Sequence, residues 1–271
     1  MGGSLGLAAR KQGIRVMAYA RRERSRAMAL ERGLADVVFD NPVDAVDGAE
    51  LVILCTPILT MPELVTNFRQ HMPEGCIVTD VGSTKTHLTK ELDAILKDSG
   101  VSYVGSHPMA GSEKSGMDAA DANLYQDALV FVTLSSGVAN VEARKVADFW
   151  RLLGSRVEYM TPQAHDEIVA RTSHLPHLVA AALINTVSRE SEDITEFCGS
   201  GLRDTTRIAE GSEDVWHDII KSNHNPLLAE INAYISELEA IKEMLEQHDF
   251  EGIRKHLATA RQNRMRIQLT G

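Results

Sequence analysis

Short apolar runs alternate with helix-patterned stretches over the first half of this chain, and that alternation constrains its fold more than any other feature. Apolar runs fall at residues 14–20 (IRVMAYA), 37–39, 49–56 (AELVILCT), 76–80 (CIVTD), 101–105, 129–134 (LVFVTL) and 156–160. Between them, residues 4–12, 22–32, 60–70 and 84–97 show helical spacing, the last with Leu88, Leu92, Ile95 and Leu96 on one face. Gly13, Gly33 and Gly100 close three of these segments. Two parallel strands need a crossover between them, so this pattern predicts βαβ units and a mostly parallel sheet. Ligands of such sheets sit at the carboxyl ends of the strands. The residues just after each apolar run are therefore the ones to read for chemistry.

From Thr161 onward the pattern is helical alone. Thr161-Pro162 and Asn225-Pro226 each join a capping residue to a proline suited to a first helical turn. Pro176 falls inside the first long helical stretch, where it frees a carbonyl and kinks the helix. Leu227, Leu228, Ile231, Tyr234, Ile235, Leu238, Ile241 and Leu245 then form a stripe at helical spacing. Such a stripe is core within one chain or a helix–helix interface between two. The turn SSGVAN marks the change, and divides the chain into residues 1–140 and 141–271.

Charge narrows the partners. Lys plus Arg number 28 and Asp plus Glu 38, a net −10 over 271 residues. Such a chain is poorly suited to nucleic acid or anionic membranes. No apolar run reaches the ~20 residues of a membrane span, and no basic segment precedes an apolar one at the N-terminus. Cys55, Cys76 and Cys198 fit no zinc or redox motif, which suits a reducing compartment. The expectation is a cytoplasmic enzyme that gathers local cations if its ligand is an anion.

Several segments offer chemistry. Gly2 and Gly3 open a helix of small residues. They fit the tail of a dinucleotide fingerprint, with the helix N-terminus facing a pyrophosphate, or a plain glycine-rich start. The next strand ends in Tyr19-Ala20-Arg21-Arg22, with no carboxylate to take a ribose 2′-hydroxyl. That favours NADP over NAD, or is simply a solvated basic turn. Thr56-Pro57 follows the apolar run 49–56, and by itself decides nothing. Ser83 follows the run 76–80; it can cap the next helix, give a substrate a hydrogen bond, or both. His107 follows the run 101–105 in a glycine-containing loop, a natural place for a general base near neutral pH. His174 and His177 lie one turn apart and share a face. With His165 they could bind metal, but no further ligand of suitable spacing stands out, and a substrate-lining face is the better reading. Arg207 could clamp a carboxylate or pair with Asp204 three residues before it.

Taken together, MGGSL, CTP, DVGSTK, HPMAGSEKSG, SHLPH and SGLRDTTRIA followed by Trp216 resemble the prephenate/arogenate dehydrogenase family, in order and over nearly the whole chain. The resemblance implies an α/β Rossmann-type N-terminal domain for dinucleotide binding and an all-α C-terminal domain for substrate and dimerisation. It implies oxidative decarboxylation of prephenate to 4-hydroxyphenylpyruvate, or of arogenate to tyrosine, with hydride transfer to a nicotinamide cofactor. By the same resemblance His107 takes the proton of the ring hydroxyl, and Ser83 hydrogen-bonds that hydroxyl and His107. Arg207 binds a substrate carboxylate, Glu113 and Asp204 surround the pocket mouth and pair with it, and His174 and His177 line the substrate side. Gly2, Arg21, Arg22, Thr56 and Pro57 fall on the cofactor side. His177 tilts the substrate to prephenate, and the Ala20-Arg21-Arg22 turn tilts the cofactor to NADP, with NAD and dual specificity kept as alternatives. A β-hydroxyacid dehydrogenase would need a catalytic lysine segment that is missing here, and a non-catalytic NADP-binding regulator would not need Ser83, His107 and Arg207 together. No metal is implied. Family members begin with a strand and a G-x-G ahead of the residue matching Gly2, so the resemblance predicts a sheet lacking that first strand, a truncation of about ten residues.

Overall fold

The computed structural model describes residues 1–111, 116–135, 140–189 and 196–267. Among these residues three small sheets form. In the first, β1 (Met17–Tyr19) and β2 (Val37–Phe39) are parallel, with Met17 opposite Val37. In the second, β3 (Leu51–Leu54), β4 (Ile77–Asp80) and β5 (Ser102–Tyr103) run parallel in that order, Leu51 opposite Ile77 and Ile77 opposite Ser102. The third joins β6 (Ser106–Met109) antiparallel to β7 (Leu129–Thr133), and β7 parallel to β8 (Arg156–Met160). The first two sheets are not hydrogen-bonded to each other, so β1 and β3 each present one edge with no ladder among the described residues. The apolar runs outlast the strands at several ends, because a ladder stops where its neighbour stops; residues 49–56 yield only Leu51–Leu54.

Helices cover both faces. α1 (Gly2–Lys11), α2 (Glu23–Glu31), α3 (Pro42–Val46), α4 (Met61–Phe68), α5 (Thr86–Leu96) and α6 (Asn140–Leu152) alternate with the strands. Adjacent residues of β4 show the arrangement. Val78 belongs to the core cluster that holds Met61, Val65, Phe68, Leu88 and Leu92 of α4 and α5, whereas Ile77 belongs to the one that holds Leu5 and Ala8 of α1 and Val146 and Trp150 of α6. Successive strand residues point to opposite faces, so a run apolar at every position is buried from both sides. β4 is indeed buried at all four positions. Close packing of α1 depends on Gly6: a Cβ there would lie 1.9 Å from the Leu34 carbonyl oxygen.

The second half is helical: α7 (Pro162–Val169), a π-turn (Ala170–His174), α8 (Leu175–Val187), α9 (Ser200–Thr206), a 3-10 turn (Arg207–Glu210), α10 (Glu213–Ser222), α11 (His224–Glu246) and α12 (Phe250–Arg266). Thr161 caps α7 as its sequence predicts, its hydroxyl accepting from the Ala164 amide at 3.2 Å. Pro176 does lie within one continuous helical path from Pro162 to Val187, in the turn that follows a π-bulge at Ala170–His174. The chain divides into two compact units, Met1–His224 and Asn225–Gly271. In the second unit much of the apolar stripe is exposed, Leu228 at 53% and Leu245 at 54%. Among the described residues no helix is long and apolar enough to cross a membrane.

Candidate active site

A buried ion pair organises the carboxyl end of β4. Asp80 and Lys85 are both fully buried and bonded to each other through Oδ2 and Nζ. The same carboxylate accepts from Tyr103 Oη at 2.8 Å, the Ser106 amide at 3.2 Å and the Gly82 amide at 2.8 Å. Buried charges persist only when paired and saturated in this way. The pair pins residues 80–85, the loop that bears Ser83. Ser83 does not cap the following helix, contrary to one sequence expectation. α5 begins at Thr86 with no cap of its own, and Asp166 of α7 reaches in: Oδ1 accepts from the Lys85 amide and Oδ2 from the Thr86 amide, both at 2.8 Å.

His107 is not in a loop. It lies on β6, opposite Phe131 of β7, and is almost wholly buried. Sequence patterning ends the preceding apolar run at Gly105 and misses the new strand, because Ser106-His107-Pro108-Met109 has no alternation of its own and is ordered by β7. Nδ1 of His107 meets Nε2 of His165 at 2.9 Å, and Nδ1 of His165 meets Oδ1 of Asp166 at 2.8 Å. The expected hydrogen bond from Ser83 to His107 is absent among the described residues; the partner of His107 is His165, at Nδ1. Burial, and then the neighbouring His165, Lys85 and His174, hold His107 well below the ordinary imidazole value. Burial also lowers His165, against the opposing hydrogen bond to Asp166. Burial alone would raise the Asp166 carboxyl, but its bonds from His165 and the Thr86 amide outweigh that and hold it low.

His174 and His177 come together around Trp216 of α10. His177 stacks on the indole at 3.5 Å with 12° between planes, and His174 meets it edge-on at 5.9 Å. Gly211 lets the chain pass this stack: a Cβ there would lie 2.6 Å from Trp216 Nε1 and 3.0 Å from His177 Cε1. His174 is pushed down to about 4, chiefly by burial, with His165 and His177 adding to it against Asp166. His177 is lowered by burial, against a hydrogen bond to the Ile208 backbone. Asn223 Nδ2 bridges the Asp166 carbonyl at 2.9 Å and His174 Nδ1 at 3.1 Å. Arg207 opens the 3-10 turn after α9. Glu113 lies outside the described residues.

The residues expected on the dinucleotide side belong to α1 and to the ends of β1 and β3. The N-terminus of α1 has no side-chain cap, and a Cβ at Gly2 would lie 3.1 Å from Cβ of Cys55. Next to Cys55, the Thr56 hydroxyl is buried without a hydrogen-bond partner. A free helix N-terminus beside an orphaned hydroxyl suits a pyrophosphate, so these residues fit a dinucleotide. Pro57 is exposed beyond them, as are Arg21 and Arg22 after β1. Arg26 braces that turn, donating from Nη1 to the Ala20 and Arg21 carbonyls at 3.0 Å each.

Sequence reasoning misses Asp80, Lys85, His165 as a partner of His107, Asp166 and Asn223. Asp80 and Lys85 are the first and last residues of the DVGSTK segment; nothing local ties α7 or α10 to β6. Among the described residues no group of three His, Cys, Asp or Glu could hold a metal ion.

Comparison with known proteins places the chain. Residues 5–159 match the family described as prephenate dehydrogenase, nucleotide-binding domain, and residues 161–259 the prephenate dehydrogenase dimerization domain. A cyclohexadienyl dehydrogenase of Zymomonas mobilis is 31% identical over 259 residues, 94% of this chain and 88% of that protein. A prephenate dehydrogenase of Bacillus subtilis is 31% identical over 97% of this chain and 72% of its own length. The crystal structure of prephenate dehydrogenase from A. aeolicus, in complex with hydroxyphenyl propionate and NAD+, superposes with a TM-score of 0.92 at 31% identity, covering 99% of this chain and 95% of that one.

Proposed function

The chain belongs to the prephenate dehydrogenase family, and on that premise we propose that it oxidatively decarboxylates prephenate to 4-hydroxyphenylpyruvate. A nicotinamide cofactor, when bound, accepts the hydride from the ring carbon bearing the hydroxyl. His107 accepts the hydroxyl proton at that carbon, and Ser83 hydrogen-bonds the same oxygen. Loss of the ring carboxylate as CO2 makes the ring aromatic, and His107 returns its proton to the phenolate oxygen, so no net proton is released. Arg207 binds a substrate carboxylate, with Asp204 and Glu113 at the pocket mouth, and His174 and His177 line the substrate side. Gly2, Thr56 and Pro57 hold the dinucleotide, and Arg21 and Arg22 its ribose end.

The observation that carries this reading is His107: buried, held neutral, and bonded through one ring nitrogen to His165. A neutral imidazole is the form able to take a proton. The cofactor is NADP on this reading, because exposed Arg21 and Arg22 follow β1 with no carboxylate at the strand tip. The functional unit is a homodimer through the helical domain, which would cover the stripe of Leu228, Ile235, Leu238 and Leu245 that a single protomer leaves exposed. The match to a cyclohexadienyl dehydrogenase favours one second reading, dual use of prephenate and arogenate.

Steady-state kinetics with both substrates and both cofactors test these choices. Prephenate with NADP is expected to give the highest kcat/KM. An arogenate value tenfold higher, a difference of about 1.4 kcal/mol, overturns the substrate assignment. A higher kcat/KM with NAD overturns the cofactor assignment.

A further inference from the structure

We propose that Asp166 is a positioning residue that sets the two substrate-side histidines to opposite tautomers, His107 through His165 and His174 through Asn223. The proposal rests on the reading of His107 as the proton acceptor.

The chain of bonds leaves little freedom. Both oxygens of Asp166 accept backbone amides at the start of α5, so this carboxylate is an acceptor only. The proton between Asp166 and His165 therefore sits on Nδ1 of His165. A neutral His165 is then bare at Nε2, and across 2.9 Å it accepts from Nδ1–H of His107. A neutral His107 is in turn bare at Nε2, and among the described residues that nitrogen makes no hydrogen bond. It is the one lone pair of the pair of rings left for a substrate hydroxyl.

The second branch starts at the backbone of the same residue. The Asp166 carbonyl accepts one hydrogen of the Asn223 amide, which orients that amide. The other hydrogen points to Nδ1 of His174, 3.1 Å from the amide nitrogen. His174 must accept there, so its own proton is on Nε2. The site thus holds one imidazole preset to accept a proton and one preset to donate a hydrogen bond. The donor suits a carboxylate or keto oxygen, the acceptor suits a hydroxyl, and prephenate offers both. When His107 takes the hydroxyl proton at Nε2, the imidazolium charge faces Asp166 through one intervening ring. The charge can be shared without any group leaving its place.

Asp166→Asn tests the branch to His107. An amide offers one acceptor oxygen where Asp166 uses two. With its nitrogen in the place of Oδ1 it donates to His165 Nδ1, His165 carries its proton on Nε2, and His107 protonates at Nε2 and loses its lone pair there; with its nitrogen in the place of Oδ2 it faces the Thr86 N–H, and the imidazolium formed at His107 has no counter-charge behind His165. A comparable Asp→Asn change in a protease triad costs about 10⁴ in kcat with the geometry intact. The expected result is a fall in kcat of about 100-fold or more, with KM for prephenate within about threefold and the dinucleotide Kd unchanged. His165→Gln, whose carbonyl can still accept from His107, is expected to keep most of the turnover. Wild-type kcat in Asp166→Asn overturns the proposal, as does a loss in His165→Gln as deep as that in Asp166→Asn.

A second readout needs neither turnover nor a stable variant of Asp166. Nitrogen-15 spectra of the wild-type protein with labelled histidine, assigned with His107→Asn and His174→Asn, report which ring nitrogen carries hydrogen. The expected pattern is Nδ1–H for His107 and Nε2–H for His174. The reverse at either ring overturns the proposal. If the wild-type protein turned over neither prephenate nor arogenate, the catalytic reading would fall, and the spectra would still decide the tautomers.

Discussion

Ser83 follows β4 as its apolar run predicts, whereas His107, expected in a loop after such a run, lies on β6. Gly6 was not legible in the sequence, since nothing in MGGSLGLA separates the third glycine from the first two. Its role lies in a contact with Leu34, on a different element, where a Cβ would meet a carbonyl oxygen at 1.9 Å. Backbone cannot yield as a side-chain tip can. Gly6→Ala should therefore shift α1 and cost about 1–3 kcal/mol, read by chemical denaturation, and should weaken dinucleotide binding in calorimetry. Unchanged stability would show that α1 has room to move. His165, Asp166 and Asn223 were hidden for the same reason as Gly6: their meaning comes from three segments that meet in space.

At the scale of elements, most of the α/β alternation could be read, and the ends could not. Capping explains much of the difference. Thr161 caps α7 from the adjacent residue, which a sequence can show. α5 is capped by Asp166, 80 residues away from Thr86, which a sequence cannot show. β6 was missed because its pairing with β7 makes it a strand. The loop between β4 and α5 depends on the Asp80–Lys85 pair, fully buried on both sides. Removing one partner leaves the other charged and without its counter-ion. Lys85→Met should cost about 3–5 kcal/mol and reduce turnover by releasing the loop of Ser83. A Tm equal to wild type would mean that the pair holds nothing in place.

For the whole molecule, burial of four neutral histidines ties stability to pH. His107, His165, His174 and His177 are all lowered, each chiefly by burial. Unfolding at mildly acid pH frees these rings to take up protons. Stability is thus complete above the ordinary histidine value of about 6.5 and is lost as pH falls through the folded values, about 4 for His174. Each proton taken up costs about 1.4 kcal/mol per pH unit within that window. Asp166, held low, acts in the same direction but only at more acid pH, where its contribution is lost as pH falls below the ordinary carboxyl value. Tm should be flat from pH 8 to 7 and drop steadily below about 6.5; a flat profile down to pH 5 would mean that these rings are protonated in the fold. The exposed stripe of the second unit adds a second expectation at this scale. Sedimentation should give twice the protomer mass, and Leu238→Glu should lower it to one protomer. A monomeric wild-type protein would contradict a dimer built on that face.

Every role proposed for the site turns on His107 as the proton acceptor in an oxidative decarboxylation of prephenate. The most direct test follows reduced nicotinamide by absorbance and CO2 by trapping, with prephenate as substrate, for the wild-type protein and His107→Asn. Equal amounts of reduced cofactor and CO2 are expected in the wild type, and a kcat about 10²–10⁴-fold lower in His107→Asn with dinucleotide binding intact. A variant that turns over at the wild-type rate would contradict that role of His107.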